Sequence, residues 1–411
     1  MRGRCLILAK APLHDVIGDL SAGLEALGWQ VDRRTWSVPK VPQSPAWRRL
    51  ESTLSSRIWI VRTCARAMRR LHRELAGAAA ASPWLEETEG LLGRTKHDVV
   101  LAFLDGLPIG VARLAARLHP RVVLVSLVAI TQEQRHRRTL PVLRALAQVA
   151  ARRPLHPDVL RPIPPDAIPT VVFPTQGWRD AAVAVGVPSR CAEVITLGVP
   201  IPGNVARRDS QLPTPARLLW LGRLSPEKGL HLFVDAMSIV SAQRPVHLTA
   251  IAAPGPVGYA QLVRRTIADR GLQSVVDLLP AVPRHALSAV FQRHDLLLFY
   301  SVFGEPVAQV MLHAAAAGLP VVGPASGRPE SLLREGHTAW CFTDASPERI
   351  ADAILRALDA GDERNVRARA LGAEIRAGHA LADTIARFDV TMRVCAGRNG
   401  IAEAEWQTAH S

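Results

Sequence analysis

Two layered α/β domains built on parallel sheets are what this sequence predicts, and three observations carry the prediction. Short apolar runs alternate with helical patterns along the whole chain, as strands joined by crossover helices do. A length of 411 residues suits two or three domains, and halves of about 200 residues can each bury a core. A stretch with Pro200, Pro202, Gly203, Pro213 and Pro215 among polar and basic residues then reads as a connection between domains. We place the first domain at 1–200, the linker at 201–216, the second domain at 217–364 and a terminal helical part at 365–411.

The elements follow in order. Leu6 to Ala9 is the first strand, and the helix after it runs to about Leu27, where Gly28 stops it. Gln30 to Asp32 opens the next strand. Val99 to Leu104, Val122 to Val128, Val171 to Phe173 and Val194 to Leu197 are further buried strands, with helices between them. In the second half, Arg217 to Leu221 is an apolar strand ending at Gly222 and Arg223. Ser225 then suits an N-cap and Pro226 a first helical position. Leu296 to Phe299 is another strand, followed by a loop with one acid, Glu305. Pro306 marks a helix start, alanines carry the helix to Gly318, and Leu319 to Val322 begins the next strand. The chain is helical again from about Asn365. No fixed-period repeat is present.

Composition narrows the classes. The five cysteines are scattered and form no C-x-x-C pair, which speaks for a reduced, cytoplasmic setting and against a zinc site. The histidines show no metal-ligand spacing. The first residues make a short strand, too brief for a signal sequence, and no apolar run has the length of a membrane span. Net charge is +14, and 47–75 alone holds eight arginines and two glutamates. Leu50, Leu54, Ile58, Val61, Ala65, Met68 and Leu75 fall on one helical face there, with Arg62, Arg66, Arg69 and Arg73 on another. Such a helix can rest on an anionic membrane, at the inner face of the membrane in a cytoplasmic protein, or pack on a domain with its arginines in solvent. No nucleic-acid recognition motif accompanies the charge.

Two segments carry chemistry. Glu305 lies in a strand-to-helix loop just ahead of helical N–H groups. The amides favour an anion and the carboxylate accepts from sugar hydroxyls, so the segment suits a ligand with both phosphates and hydroxyls. In the other segment Lys228 sits where a cation opposes a helix dipole, close to Arg223, which suggests that both face an anion.

The two segments together resemble glycosyltransferase family 4, the nucleotide-sugar transferases with the GT-B fold. The resemblance covers about Arg217 to Leu358. It rests on Gly222-Arg-Leu-Ser-Pro-Glu-Lys-Gly229, Ser301-x-x-x-Glu305-Pro306, Ala317-Gly-Leu-Pro-Val-Val322 and Ser326-Gly-Arg-Pro-Glu330. It implies two Rossmann-like doubly wound domains facing a central cleft, with the terminal helices crossing back to the first domain. It implies that Arg223 and Lys228 hold the donor diphosphate and that Glu305 lies beside the transferred sugar. Gly222, Pro306, Val307, Ala308, Gln309 and His313 complete the donor site on this reading. No metal and no cofactor are called for, the nucleoside diphosphate sugar being a co-substrate, and the anomeric configuration should be retained.

The chain departs from that pattern in places. Eight residues after Glu305 the family carries a second Glu on the ribose hydroxyls, and this chain has His313. An imidazole offers one acceptor where a carboxylate serves a diol. The glycine-rich turn after the first strand is replaced by Lys10-Ala-Pro-Leu-His14-Asp15, and Ser126 stands where many relatives have a histidine. His14, Asp15 and Ser126 are the acceptor-site candidates. The activity expected is transfer of a sugar to a small-molecule, glycan or lipid-linked acceptor. A non-catalytic relative that scaffolds an active transferase, and a nucleotide-sugar epimerase, are the alternatives.

Overall fold

The computed structural model describes residues 2–10, 15–36, 97–103, 122–125, 170–184, 189–203, 205, 208–301, 308–325 and 332–397. These fall into two compact units. The described residues of the first lie within Met1–Val128, His136–Ile195 and Ile385–Ser411, and those of the second within Thr196–Thr384.

In the first unit the strands are β1 (Gly3–Lys10), β2 (Trp29–Trp36), β3 (Val99–Phe103), β4 (Val122–Val125), β5 (Thr170–Phe173) and β6 (Ala192–Val194). They pair in parallel in the order β2-β1-β3-β4-β5-β6. Every residue of β3 is buried, as a central strand covered on both faces requires. Helix α1 (Asp15–Ala26) links β1 to β2, and Gly28 follows it with φ 93°. Helix α2 (Gln176–Ala184) follows β5. The last strand falls slightly earlier than Val194 to Leu197. Its ladder partners are Ala192 to Val194, and only the Ile195 amide extends it, donating to Phe173 O at 2.9 Å.

The second unit holds β7 (Ala216–Arg223), α3 (Leu230–Ser241), β8 (Val246–Ala253), α4 (Val257–Asp269), β9 (Val276–Pro280), α5 (Leu287–Arg293) and β10 (Leu296–Leu298). Helix α6 (Gln309–Ala316), β11 (Val321–Pro324), β12 (Trp340–Phe342), α7 (Pro347–Asp359) and α8 (Glu363–Gly378) follow. Helix α9 (Leu381–Cys395) begins in this unit and continues into the first. The sheet order is β12-β11-β10-β7-β8-β9, all parallel. Side chains of β7 alternate between two cores. Leu218 and Trp220 pack with α3, α4 and α7, while Leu219 packs with α5, α6 and α8. This is the doubly wound arrangement, with helices on both faces.

The distal part of α9 seals the first unit. Asp389 is buried, accepts from Trp29 Nε1 at 2.7 Å and pairs with Arg2. The Thr391 hydroxyl donates to the buried Glu193 carboxylate at 2.8 Å. A Cβ on Gly23 would stand 2.1 Å from Ile385 Cδ1, so α1 and α9 approach closely only because that position is glycine.

Candidate functional site

Strand order locates the site. In the second unit β7 and β10 lie side by side, yet the chain leaves β7 towards β8 and β9, and leaves β10 towards β11 and β12. The connections after these two strands therefore diverge, and a crevice opens at their carboxyl ends. Strand β7 runs into Leu224 to Gly229, and β10 runs into the stretch that begins Phe299, Tyr300, Ser301. The first chemistry-bearing segment and the described start of the second, Phe299 to Ser301, stand at this one point of the sheet. They touch at Gly229, where a Cβ would fall 2.3 Å from Tyr300 Cδ1. The same residue has φ 66°, so glycine is required there twice over.

The first segment is held from below. Trp220 is buried, and its Nε1–H donates to Lys228 O at 3.2 Å. A Cβ on Gly222 would stand 3.3 Å from that indole ring. Ser225 is not the cap that its position suggests. Pro226–Lys228 form a 3-10 turn, the α-helix starts only at Leu230, and no side-chain cap bond is made. The Ser225 hydroxyl turns to Glu227 instead, at 2.7 Å, and the exposed Arg223 guanidinium pairs with the same carboxylate. Burial works to raise the Glu227 carboxyl, but the bonds from Ser225, its own amide and Arg223 outweigh it and hold the group below the usual range.

Helix α3 is capped from the side. The hydroxyl of Tyr259, on α4, accepts from the His231 amide at 3.2 Å and lies 2.8 Å from His231 Nδ1. Burial lowers the His231 imidazole, with Asp235 acting against it.

The second segment rises from three buried leucines in β10. Tyr300 stacks on Phe342 at 6.2 Å. Ser301 is 8% exposed, and its hydroxyl has no hydrogen-bond partner among the described residues. Glu305, Pro306 and Val307 lie outside the described residues, as does the stretch 326–330. Ala308 is the buried N-cap residue of α6 and contributes no side-chain bond to the helix end. The Gln309 side-chain nitrogen is buried and likewise unpartnered among the described residues. His313 stands one turn further on, its Nε2 3.3 Å from an Arg284 nitrogen.

Of the candidates read from the sequence, the structure brings Gly222, Arg223, Lys228, Ala308, Gln309 and His313 to the switch point of one sheet. His14 and Ser126 lie outside the described residues; Asp15 opens α1, but its side chain is not described. The basic stretch 47–75 is also outside them. Sequence reasoning gave no role to Tyr259, Tyr300 or Arg284, and used Ser301 only as part of a motif. Arg284 follows β9, so the rule that ligands meet a parallel sheet at its carboxyl ends could have pointed to it. Among the described residues no group of three His, Cys, Asp or Glu is placed to hold a metal, and no helix is long and apolar enough to cross a membrane.

The family described as glycosyl transferases group 1 matches residues 215–360. The amylovoran biosynthesis glycosyltransferase AmsK of Erwinia amylovora is 29% identical over 191 residues, 44% of this chain and 45% of that protein. A D-inositol 3-phosphate glycosyltransferase of Thermobispora bispora is 29% identical over 171 residues, 40% of each chain. This chain thus spans less than half the length of these relatives. Among solved structures, HepE of Anabaena in complex with UDP and glucose superposes with a TM-score of 0.66 at 16% identity, covering 95% of this chain and all of that one. Sucrose-phosphate synthase of Thermosynechococcus elongatus gives 0.67 at 15% identity over 97% of this chain and all of that one. The chain has the GT-B fold, and its residues 215–360 match the family of glycosyl transferases group 1.

Proposed function

We propose that this chain is a glycosyltransferase that moves a sugar from a nucleoside diphosphate to a hydroxyl or amine acceptor, with retention at the anomeric carbon and without a metal. The observation that carries the reading is the meeting of the Gly222–Gly229 loop with Tyr300, at the switch point of a sheet within the region that matches the group 1 family. Similarity to relatives named as glycosyltransferases, and to a neighbour named as a complex with UDP and glucose, supports it.

On this reading the second unit binds the donor. Arg223 and Lys228 neutralise the diphosphate as it departs, the role a metal would otherwise fill. Arg223 is held by Glu227 in the structure, so an incoming diphosphate competes with a carboxylate for the guanidinium. Helix α6 offers amides that its N-cap residue, Ala308, does not cap. Glu305 orients the transferred sugar. The first unit takes the acceptor, with His14, Asp15 and Ser126 as its candidates.

A scaffold role for a non-catalytic relative is the second reading. It draws on His313 standing where the family pattern has an acid. Release of nucleoside diphosphate from a panel of UDP- and GDP-sugars, with glycan and lipid-linked acceptors, separates the two. The transferase reading expects turnover that Glu305→Gln cuts by about 100-fold or more, a loss of about 2.7 kcal/mol in transition-state stabilisation. Nucleotide binding without turnover for any sugar would favour the scaffold.

A further inference from the structure

Two polar groups near the head of α6 are buried without partners among the described residues. Ser301 is 8% exposed, and its hydroxyl makes no hydrogen bond there. The Gln309 side-chain nitrogen is buried in the same condition. A buried polar atom left unpaired is destabilising, and a native chain that keeps one needs a reason. The rest of the second unit shows the contrast. Its buried Thr338 hydroxyl donates to Leu332 O at 2.6 Å, and Arg208 reaches three backbone carbonyls at once.

Both side chains are directed to the same end of the sheet. Leu296, Leu298 and Tyr300 pack into the core on the α3 side. Leu297 and Phe299 pack into the other core, with Ala308, Met311 and Leu312. The Phe299 amide still donates to Val322 O at 2.8 Å, so strand pairing runs that far. The alternation of an extended chain then carries Ser301 to the α6 side. Gln309 is the first residue of α6. Helical side chains lean toward the N-terminus of their helix, so that of Gln309 leans past the helix end.

Neither group is charged. A hydroxyl and a carboxamide each both donate and accept, as a sugar hydroxyl does, whereas phosphate oxygens only accept. On the transferase reading the phosphates already have Arg223 and Lys228. Ser301 adjoins Tyr300, whose ring meets the Gly229 end of the Lys228 turn. Glu305, the residue read as orienting the sugar, lies between Ser301 and Gln309 in sequence.

We propose that Ser301 and Gln309 are specificity-determining residues for the transferred sugar, each hydrogen-bonding a hydroxyl of its ring. The proposal rests on the reading of the second unit as the donor domain, and it names the part of the donor that these residues read. Their unpaired state without ligand is then a stability cost kept for binding.

Isothermal titration of the full chain with UDP, UDP-glucose, UDP-N-acetylglucosamine, GDP and GDP-mannose tests it, together with melting of the free protein. The double variant Ser301→Ala, Gln309→Met removes both polar groups with little change in volume. It should weaken the best-bound sugar nucleotide by about tenfold or more, the loss of two uncharged hydrogen bonds. It should weaken the matching nucleoside diphosphate by less than about twofold. The free variant should melt no lower than wild type, because unpaired buried polar atoms give way to apolar ones. Equal weakening of the two ligands, or none of the sugar nucleotide, overturns the proposal. So does a free variant that melts several degrees lower, which would mean that the chain itself uses these groups. Lys228→Ala reports the donor-domain reading separately, through weaker binding of the nucleoside diphosphate. If it weakens that ligand while the double variant treats both ligands alike, only the present proposal falls. No binding of any of the five nucleotides overturns the donor-domain reading and this proposal with it.

Discussion

At the scale of residues, two cations and a glycine define the candidate site. Arg223 ends β7, and Lys228 ends the turn after it. A charge-assisted contact is worth roughly 1.5–3 kcal/mol. Arg223→Ala and Lys228→Ala should therefore each lower kcat/KM by tenfold or more, and the double variant by far more. Leaving-group stabilisation puts part of the loss in kcat. Steady-state kinetics with the preferred donor reads this directly; unchanged turnover in the double variant would remove both residues from the chemistry. Gly229 is a sharper structural test. Its φ of 66°, and a Tyr300 ring atom 2.3 Å from where a Cβ would stand, leave no room for Gly229→Ala. The strain alone is on the order of 1–3 kcal/mol. Urea unfolding should show a loss of that size or larger, and a midpoint equal to wild type would mean that the loop and the Tyr300 ring move apart freely.

At the scale of elements, much was legible and some was not, for identifiable reasons. The apolar runs at Leu6, Val99, Leu218 and Leu296 read directly as strands, because parallel strands covered on both faces have no polar side to interrupt them. Pairing of the Gly222 and Tyr300 segments was legible only through the order of motifs; the register Leu296 with Leu218 supplies the geometry. The start of α3 differs from the sequence reading. Ser225 has the chemistry of a cap, but Glu227 is a stronger acceptor two residues away, and it draws the hydroxyl out of the capping position. At the start of α3 the His231 amide is met by Tyr259, far off in sequence on another helix, which no local pattern announces. Tyr259→Phe tests this. Leaving the helix end without its acceptor should cost about 1–2 kcal/mol in chemical denaturation, with little change in the kinetics of a donor site built on Lys228. A neutral result would show that solvent replaces the hydroxyl at no cost. The contact between Arg284 and His313 was equally hidden, since it joins two elements through side chains alone.

At the scale of the whole molecule, acid should loosen the second unit. Burial lowers the imidazoles of His231, His294 and His379. A base with a depressed folded value binds its proton more readily in the unfolded chain. The unfolded state thus takes up protons first as pH falls through about 6.5, the ordinary histidine value, and stability declines from there downward. Melting midpoints should drop between about pH 7 and pH 5, and less so in His231→Gln, which removes one such group. A midpoint that is flat or rises over that interval would contradict the burial of these rings. The same second unit carries the central claim, that it binds a nucleoside diphosphate at its strand switch point. Thermal melting of the full chain with UDP, GDP, ADP and dTDP measures that most directly. Saturation at 100 times Kd contributes about 2.7 kcal/mol, and each kcal/mol moves the midpoint of a unit of this size by about 2–4 °C. One or more nucleotides should therefore raise the midpoint by about 5–10 °C in the wild type and by much less in the Arg223→Ala, Lys228→Ala double variant. No shift with any nucleotide, or the same shift in the double variant, would contradict the account.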